Sequence, residues 1–68
     1  MNAHVYKTIE ITGSSNKSAE DAIRTAIEKA SQSVHNLRWF KVIETRGTID
    51  NGQIGYWQIT LALGFTLE

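Results

Sequence analysis

The fold of this chain is decided by residues 56–67, which read Tyr56-Trp57-Gln58-Ile59-Thr60-Leu61-Ala62-Leu63-Gly64-Phe65-Thr66-Leu67. From Trp57 onward every second residue is large and apolar, whereas the residues between them are small or polar. Because successive side chains of a β-strand point to opposite faces, this alternation predicts a strand with one face in the core. The other face, which carries Gln58, is then predicted to lie away from the core.

A second strand is predicted over 37–46, and it carries two adjacent aromatic residues, Trp39 and Phe40. Neighbouring strand side chains cannot enter the same core, so we assign Phe40 and Val42 to the core. The residues predicted on the opposite face are Trp39, Lys41, Ile43 and Thr45. Trp39 and Gln58 are therefore expected on the same outer face, where an exposed indole is typical of a subunit contact or of a planar-ligand site.

The first half of the chain predicts a strand followed by a helix. Alternation rich in β-branched residues over 5–12 predicts the strand, and a polar loop follows over 13–17. Ser18 is a good N-cap and precedes two acidic residues, which the helix dipole favours in the first turn. The apolar stripe of the helix follows the i, i+3, i+4 spacing. Its members are Ala19, Ala22, Ile23, Ala26, Ile27, Ala30 and Val34. Because most of them are alanine, the helix is expected to lie close against a sheet.

The dipeptide Asn51-Gly52 is a strong hairpin signal between the second strand and the third, over 54–67. The predicted fold class is α+β: a β-α-β-β chain with a three-stranded antiparallel sheet wrapped around one helix. A tight hairpin would pair Gln58 with Thr45, which lies six residues from Trp39, or roughly 20 Å at ~3.3 Å per residue. A ligand that contacts both side chains would then need two chains, unless a bulge shifts the register.

Composition restricts the class of protein. The 68 residues predict a single domain, 1–68, whose small core needs reinforcement by oligomerisation. Seven basic and seven acidic residues give zero net charge, which argues against a nucleic-acid partner. No apolar run approaches the ~20 residues of a membrane span, and the two histidines lack the spacing of a metal site. The absence of cysteine suits a reducing cytoplasm, so we predict a soluble, cytoplasmic protein.

Short segments spread over nearly the whole chain carry a family resemblance. They are Val5-Tyr6-Lys7, Ser18-x-Glu20-Asp21-Ala22, Leu37-Arg38-Trp39-Phe40, Glu44-Thr45-Arg46-Gly47, Tyr56-Trp57-Gln58-Ile59-Thr60-Leu61 and Gly64-Phe65-x-Leu67-Glu68. In this order and spacing they resemble the dodecins, small flavin-binding proteins that assemble as hollow homododecamers.

The resemblance implies a flavin site between subunits. It implies that Trp39 stacks on the isoalloxazine ring, that Gln58 hydrogen-bonds the polar edge of that ring, and that Arg46 lies beside it. Flavins of this family bind as antiparallel pairs between two symmetry-related tryptophans. The bound flavin is FMN, riboflavin or lumichrome, and the sequence leaves this choice open. Several members hold coenzyme A with an arginine where this chain has Thr66, which argues against coenzyme A here.

The expected function is storage or sequestration of flavin, which protects or buffers the free pool. No Ser/His/Asp order, glycine-rich phosphate loop or metal-ligand cluster is present, so we expect no enzyme. Two alternatives stay open: a flavin-dependent redox protein, and a non-flavin oligomeric scaffold in which Trp39 is only a subunit contact. The residues alone are equally compatible with Arg46 at the ligand and with Arg46 paired to Glu44 or Asp50.

Overall fold

The computed structural model describes residues 4–67 of the chain. Along the chain they form strand β1 (Tyr6–Ser15), helix α1 (Ala19–Ala30), strand β2 (Leu37–Asp50) and strand β3 (Gln53–Thr66). The predicted order β-α-β-β is confirmed, although β1 and β2 run further than predicted and α1 ends before Val34. The predicted domain, 1–68, includes residues 1–3 and Glu68, which lie outside the described part of the chain.

The three strands form one antiparallel sheet in the order β1-β3-β2. β3 is therefore central, and both β1 and β2 are edge strands. The register between β1 and β3 is regular from Tyr6 opposite Thr66 to Ser15 opposite Trp57. This arrangement confirms the predicted α+β class with a three-stranded antiparallel sheet and one helix.

Helix α1 begins with a cap that ties it to the end of β1. The Ser18 hydroxyl accepts a hydrogen bond from the Asp21 backbone N–H at 3.0 Å, as an N-cap should. The Ser15 hydroxyl donates to the Asp21 carboxylate at 2.7 Å and accepts from the Lys17 backbone N–H at 2.9 Å. These contacts set the direction in which the helix leaves the sheet. No helix in residues 4–67 is long and apolar enough to cross a membrane.

The core lies between the alanine stripe of α1 and one face of β3. Its buried members are Ala22, Ala26, Ile59, Leu61 and Leu63. Gly13 of β1 makes the close approach possible. A Cβ at this position would overlap the Ala22 carbonyl oxygen and would lie 2.8 Å from the Ala26 Cβ. Alanine on the helix and glycine on the strand thus let the two backbones pack almost in contact.

Part of the predicted core is exposed. Phe40 and Val42 pair with Leu63 and Leu61 and so belong to the helix-side face, but they are 49% and 41% exposed. The prediction that they are buried is wrong for the single chain, because α1 packs on β1 and β3 and leaves β2 largely uncovered. Leu67, also assigned to the core row, lies beyond the end of β3 and is exposed.

The hairpin turn is confirmed, but the register that was expected from it is wrong. Asn51 and Gly52 have φ angles of 52° and 75°, as a type I′ turn requires. A bulge in β3, where Gly55 and Tyr56 together lie opposite Thr48, then shifts the register, so that Gln58 pairs with Arg46 and not with Thr45. The Thr48 hydroxyl accepts a hydrogen bond from the Tyr56 backbone N–H at 2.9 Å, which secures the bulge.

A second irregularity, between Val42 and Glu44, changes which β2 residues face outward. Thr45 pairs with Ile59 of the core row, so its predicted place on the face of Trp39 is wrong. The inserted residue changes the alternation, and Glu44 takes the outer position instead. Arg46 follows it on that face.

The close approach at Gly13 leads to a prediction about stability. Gly13→Ala should lower the free energy of unfolding by about 1–3 kcal/mol, because its Cβ forces α1 away from the sheet. Urea unfolding at one fixed protein concentration measures this change. Ser14→Ala, at the exposed next position, is the matched control and should be close to neutral. Equal stability of both variants would contradict the packing described above.

Candidate ligand site

The indole of Trp39 lies on the outer face of the sheet, as predicted, and rests on Gly64. The two residues are register partners on β2 and β3. A Cβ at Gly64 would overlap the fused part of the indole, so the ring lies directly across the glycine backbone. Trp39 nevertheless stays 40% exposed. The ring is thus supported from below by the sheet while part of its surface is open to a partner or ligand.

Tyr6 borders this indole from the other edge of the sheet. The ring centroids of Tyr6 and Trp39 are 6.0 Å apart and their planes are inclined by 67°, an edge-to-face arrangement. Tyr6 stands on β1 and Trp39 on β2, so the two rings meet above the central strand.

Gln58 and Arg46 form a second, polar group on the same face. The Arg46 Nε–H donates to the Gln58 side-chain oxygen at 3.1 Å, a contact that the bulge opposite Thr48 makes possible by placing the two residues opposite each other. Because arginine only donates, this contact orients the amide and leaves both N–H bonds of its NH₂ group free of Arg46. Arg46 also forms the ion pair with Glu44 that the sequence allowed, at 3.6 Å and more than half exposed.

The chain does not bring the aromatic and polar groups together. Gly64, beneath Trp39, and Gln58 are six residues apart on the regular strand β3, which corresponds to about 20 Å at ~3.3 Å per residue. This distance exceeds the length of a three-ring aromatic system. Trp39 and Gln58 therefore share a face, as predicted, but within one chain they cannot contact the same planar ligand.

Comparison with known proteins identifies the family. The family model described as dodecin matches residues 5–68. The chain belongs to the dodecin family. It is 41% identical to the dodecin of Thermus thermophilus over 64 aligned residues, and the alignment covers 94% of this chain and 93% of that protein. The solved structure of dodecin from Streptomyces coelicolor superposes with a TM-score of 0.93 at 43% identity, over 100% of this chain and 97% of that one. The resemblance noted from the sequence is thereby confirmed.

A further dodecin relative is named for a metal. The calcium dodecin of Mycobacterium tuberculosis is 39% identical over 65 residues, which covers 94% of this chain and 90% of that protein. In the part of this dodecin-family chain that the structure describes, residues 4–67, no group of three or more His, Cys, Asp or Glu residues is arranged to hold a metal ion.

Sequence reasoning missed two residues next to Trp39 in this dodecin-family chain, Tyr6 and Gly64. A glycine inside a strand is a signal of close approach by another group, and Gly64 interrupts an otherwise well-formed strand pattern. Tyr6 is harder to find, because its contact with Trp39 depends on the strand order β1-β3-β2. Only this order places the ends of the two edge strands on either side of Gly64.

Proposed function

We propose that the protein binds flavin at contacts between its subunits and so stores, protects or buffers the free flavin pool. The observation that carries the proposal is the partly exposed indole of Trp39, which lies over Gly64 on the outer face of a dodecin-family chain. The isoalloxazine ring is flat and electron-poor, and indole is the most electron-rich aromatic face that a protein offers for stacking. Because the sheet already supports the indole, a flavin ring can stack on it with little rearrangement of the protein.

The polar group supplies what the edge of a flavin needs. The pyrimidine end of an isoalloxazine has two carbonyl acceptors and one N–H donor. The amide NH₂ of Gln58, oriented by Arg46, offers donors to the carbonyls, and the second lone pair of its oxygen can accept from the ring N–H. Arg46 has terminal N–H groups to add where the ligand carries oxygen atoms. We therefore assign Gln58 to hydrogen bonds with the ring edge and place Arg46 beside it.

The separation of the two groups supports a site shared between chains. Since Trp39 and Gln58 are about 20 Å apart within one chain, a flavin that contacts both takes them from different subunits. The apolar surface favours the same conclusion, because large hydrophobic side chains remain exposed on the chain. They include Val5, Tyr6, Trp39, Phe40, Val42, Ile43, Ile49, Ile54, Tyr56 and Leu67. With two edge strands as well, we propose assembly of this chain with itself, as a homododecamer.

A storage role fits this geometry better than catalysis. A flavin ring enclosed between two symmetry-related tryptophans leaves little room for a hydride donor. Steady turnover with a reduced nicotinamide would favour the flavin-dependent redox alternative, and a colourless purified protein that takes up no added flavin would favour the non-flavin scaffold. FMN, riboflavin and lumichrome all present the same ring edge, so the proposal covers all three. The lack of cysteine agrees with a cytoplasmic store.

Coenzyme A is not part of the proposal. Thr66 stands where several dodecins have the arginine that holds this cofactor, and here the residue is buried, with 7% exposure. It therefore offers neither a positive charge nor an accessible donor to a phosphate group. Flavin is the ligand class for which this chain has suitable residues.

The first test concerns Trp39. The purified protein should carry a flavin that absorbance and chromatography identify, and Trp39→Ala should weaken its binding by about 1–3 kcal/mol per stacked ring, a magnitude taken from base–aromatic stacking. Fluorescence titration measures both proteins. The matched control is Trp57→Phe on the opposite, helix-side face, which should bind as the wild type does. If Trp39→Ala binds flavin with wild-type affinity, the stacking role of Trp39 is wrong.

The second test concerns Gln58. Gln58→Leu leaves the ring edge without a partner, so it should weaken the binding of riboflavin by about 1–3 kcal/mol. The binding of a planar aromatic ligand without that edge should be affected much less. Gln58→Glu keeps an oxygen for Arg46 but replaces the two N–H donors by a charged acceptor facing the carbonyls. It should therefore bind worst near neutral pH and recover in part once the introduced carboxylate is protonated. Equal losses for both ligands would show that Gln58 supports only the fold or the interface.

The third test concerns assembly. Multi-angle light scattering at micromolar concentration should give a large closed homo-oligomer, and its thermal stability should exceed that of an ordinary 68-residue monomer. Exposed apolar side chains and two open strand edges are the reason for this expectation. A stable monomer or dimer under these conditions would contradict the shared site.

A further inference from the structure

We infer that Tyr6 is a positioning residue for the flavin: it holds the indole of Trp39 over Gly64, so that one ring face is presented to the ligand at a set angle. The inference rests on the proposed flavin site and deepens it by naming a residue that acts through Trp39. It is carried by the edge-to-face contact of the two rings and by the missing Cβ at Gly64.

The strand register brings Tyr6 and Trp39 together at Gly64 of the central strand. Trp39 pairs with Gly64, while Tyr6 pairs with Thr66, the next residue of β3 on the same face. Their strands lie on either side of β3, and neighbouring strands are about 4.8 Å apart, so the two rings must each reach inward to meet. They meet with centroids 6.0 Å apart because Gly64 has no side chain between them.

The arrangement leaves a ring face for the ligand. Gly64 lies beneath the indole, and Tyr6 contacts it from the strand on the other side of β3. Trp39 keeps 40% exposure in spite of both contacts, and this is the surface that we assign to the ligand. Edge-to-face contact at this distance is one of the two geometries that aromatic pairs prefer, so the contact is a stabilising one.

Trp39 needs such support because it stands on an edge strand. An exposed tryptophan without neighbours samples several rotamers, and binding a ligand then has the additional entropic cost of selecting one. A side chain already held in the binding rotamer avoids this cost, which is the general advantage of preorganisation. Tyr6 and Gly64 together hold the ring from one edge and from below.

The experiment uses the assembled protein in a Trp57→Phe background, where Trp39 is the remaining tryptophan. Tyr6→Leu removes the ring, and Tyr6→Phe keeps it without the hydroxyl. In the flavin-free protein, Tyr6→Leu should increase the amplitude of fast local motion in the time-resolved fluorescence anisotropy of Trp39. Tyr6→Phe should leave that amplitude unchanged. This readout reports on the indole itself and does not require flavin.

Flavin titration then measures the consequence. Tyr6→Leu should weaken riboflavin binding by about two- to tenfold, the range expected for one aromatic pair, and should quench bound flavin less completely. Tyr6→Phe should bind and quench as the background protein does. Tyr6→Phe is therefore the matched control for the loss of the ring. Should Tyr6→Leu fail to assemble, Tyr6→Val takes its place, because β-branched residues suit strands.

The outcomes separate this inference from the proposed function. A background protein that binds no flavin contradicts the proposed function, while the anisotropy of Trp39 still decides the role of Tyr6 in holding the ring. Normal flavin binding with unchanged affinity and anisotropy in Tyr6→Leu overturns the positioning role alone. Equal losses in Tyr6→Phe and Tyr6→Leu also overturn it, because the hydroxyl and not the ring would then be responsible.

Discussion

Burial of the apolar row of β3 beneath the alanine face of α1 is the interaction on which the rest of the structure depends. Ile59, Leu61 and Leu63 are almost fully buried, and the helix can reach them only because small residues meet at the contact. At Gly13 the backbones of strand and helix come so close that even one additional methyl group has no room. A small protein thus forms a dense core from few residues, in keeping with the tight packing of protein interiors.

The same close contact explains why part of the sheet is left uncovered. One helix of twelve residues is too short and too narrow to cover three strands of ten to fourteen residues. It lies over β1 and β3, so the helix-side face of β2 keeps Phe40 and Val42 exposed. Burial of such surface against further copies of the chain would stabilise the fold, because removing apolar surface from water lowers the free energy of the buried state. In the proposed assembly, folding and association are therefore expected to be linked.

The outer face of the sheet is organised by glycine and by bulges. Gly64 leaves room for the indole of Trp39 over the central strand, and the bulge of β3 opposite Thr48 brings Arg46 opposite Gln58. These features cost strand regularity, but each aims a side chain that a regular strand would have placed elsewhere. The result is an aromatic group and a polar group at different levels of one face. In the proposed assembly, two chains combine the groups around one ligand.

Much of this architecture could be predicted from the sequence, because it depends on local rules. The alternation in β3, the alanine stripe of α1, the Ser18 cap and the Asn51-Gly52 turn each have one dominant physical reading. Together they predicted the element order, the antiparallel sheet and the shared face of Trp39 and Gln58. The family resemblance likewise followed from the order of short segments, and it pointed to Trp39, Gln58 and Arg46.

Only the tertiary structure decided what depends on two elements at once. Bulges are not visible in an alternating pattern, since one inserted residue reverses the faces of all that follow, and the predicted pairing of Gln58 with Thr45 was wrong for this reason. The exposure of Phe40 depended on where α1 lies across the sheet. The contact of Tyr6 with Trp39 depended on strand order. Sequence determined which residues form strands and helix through local preference, whereas the partners of each side chain were decided by packing between distant segments.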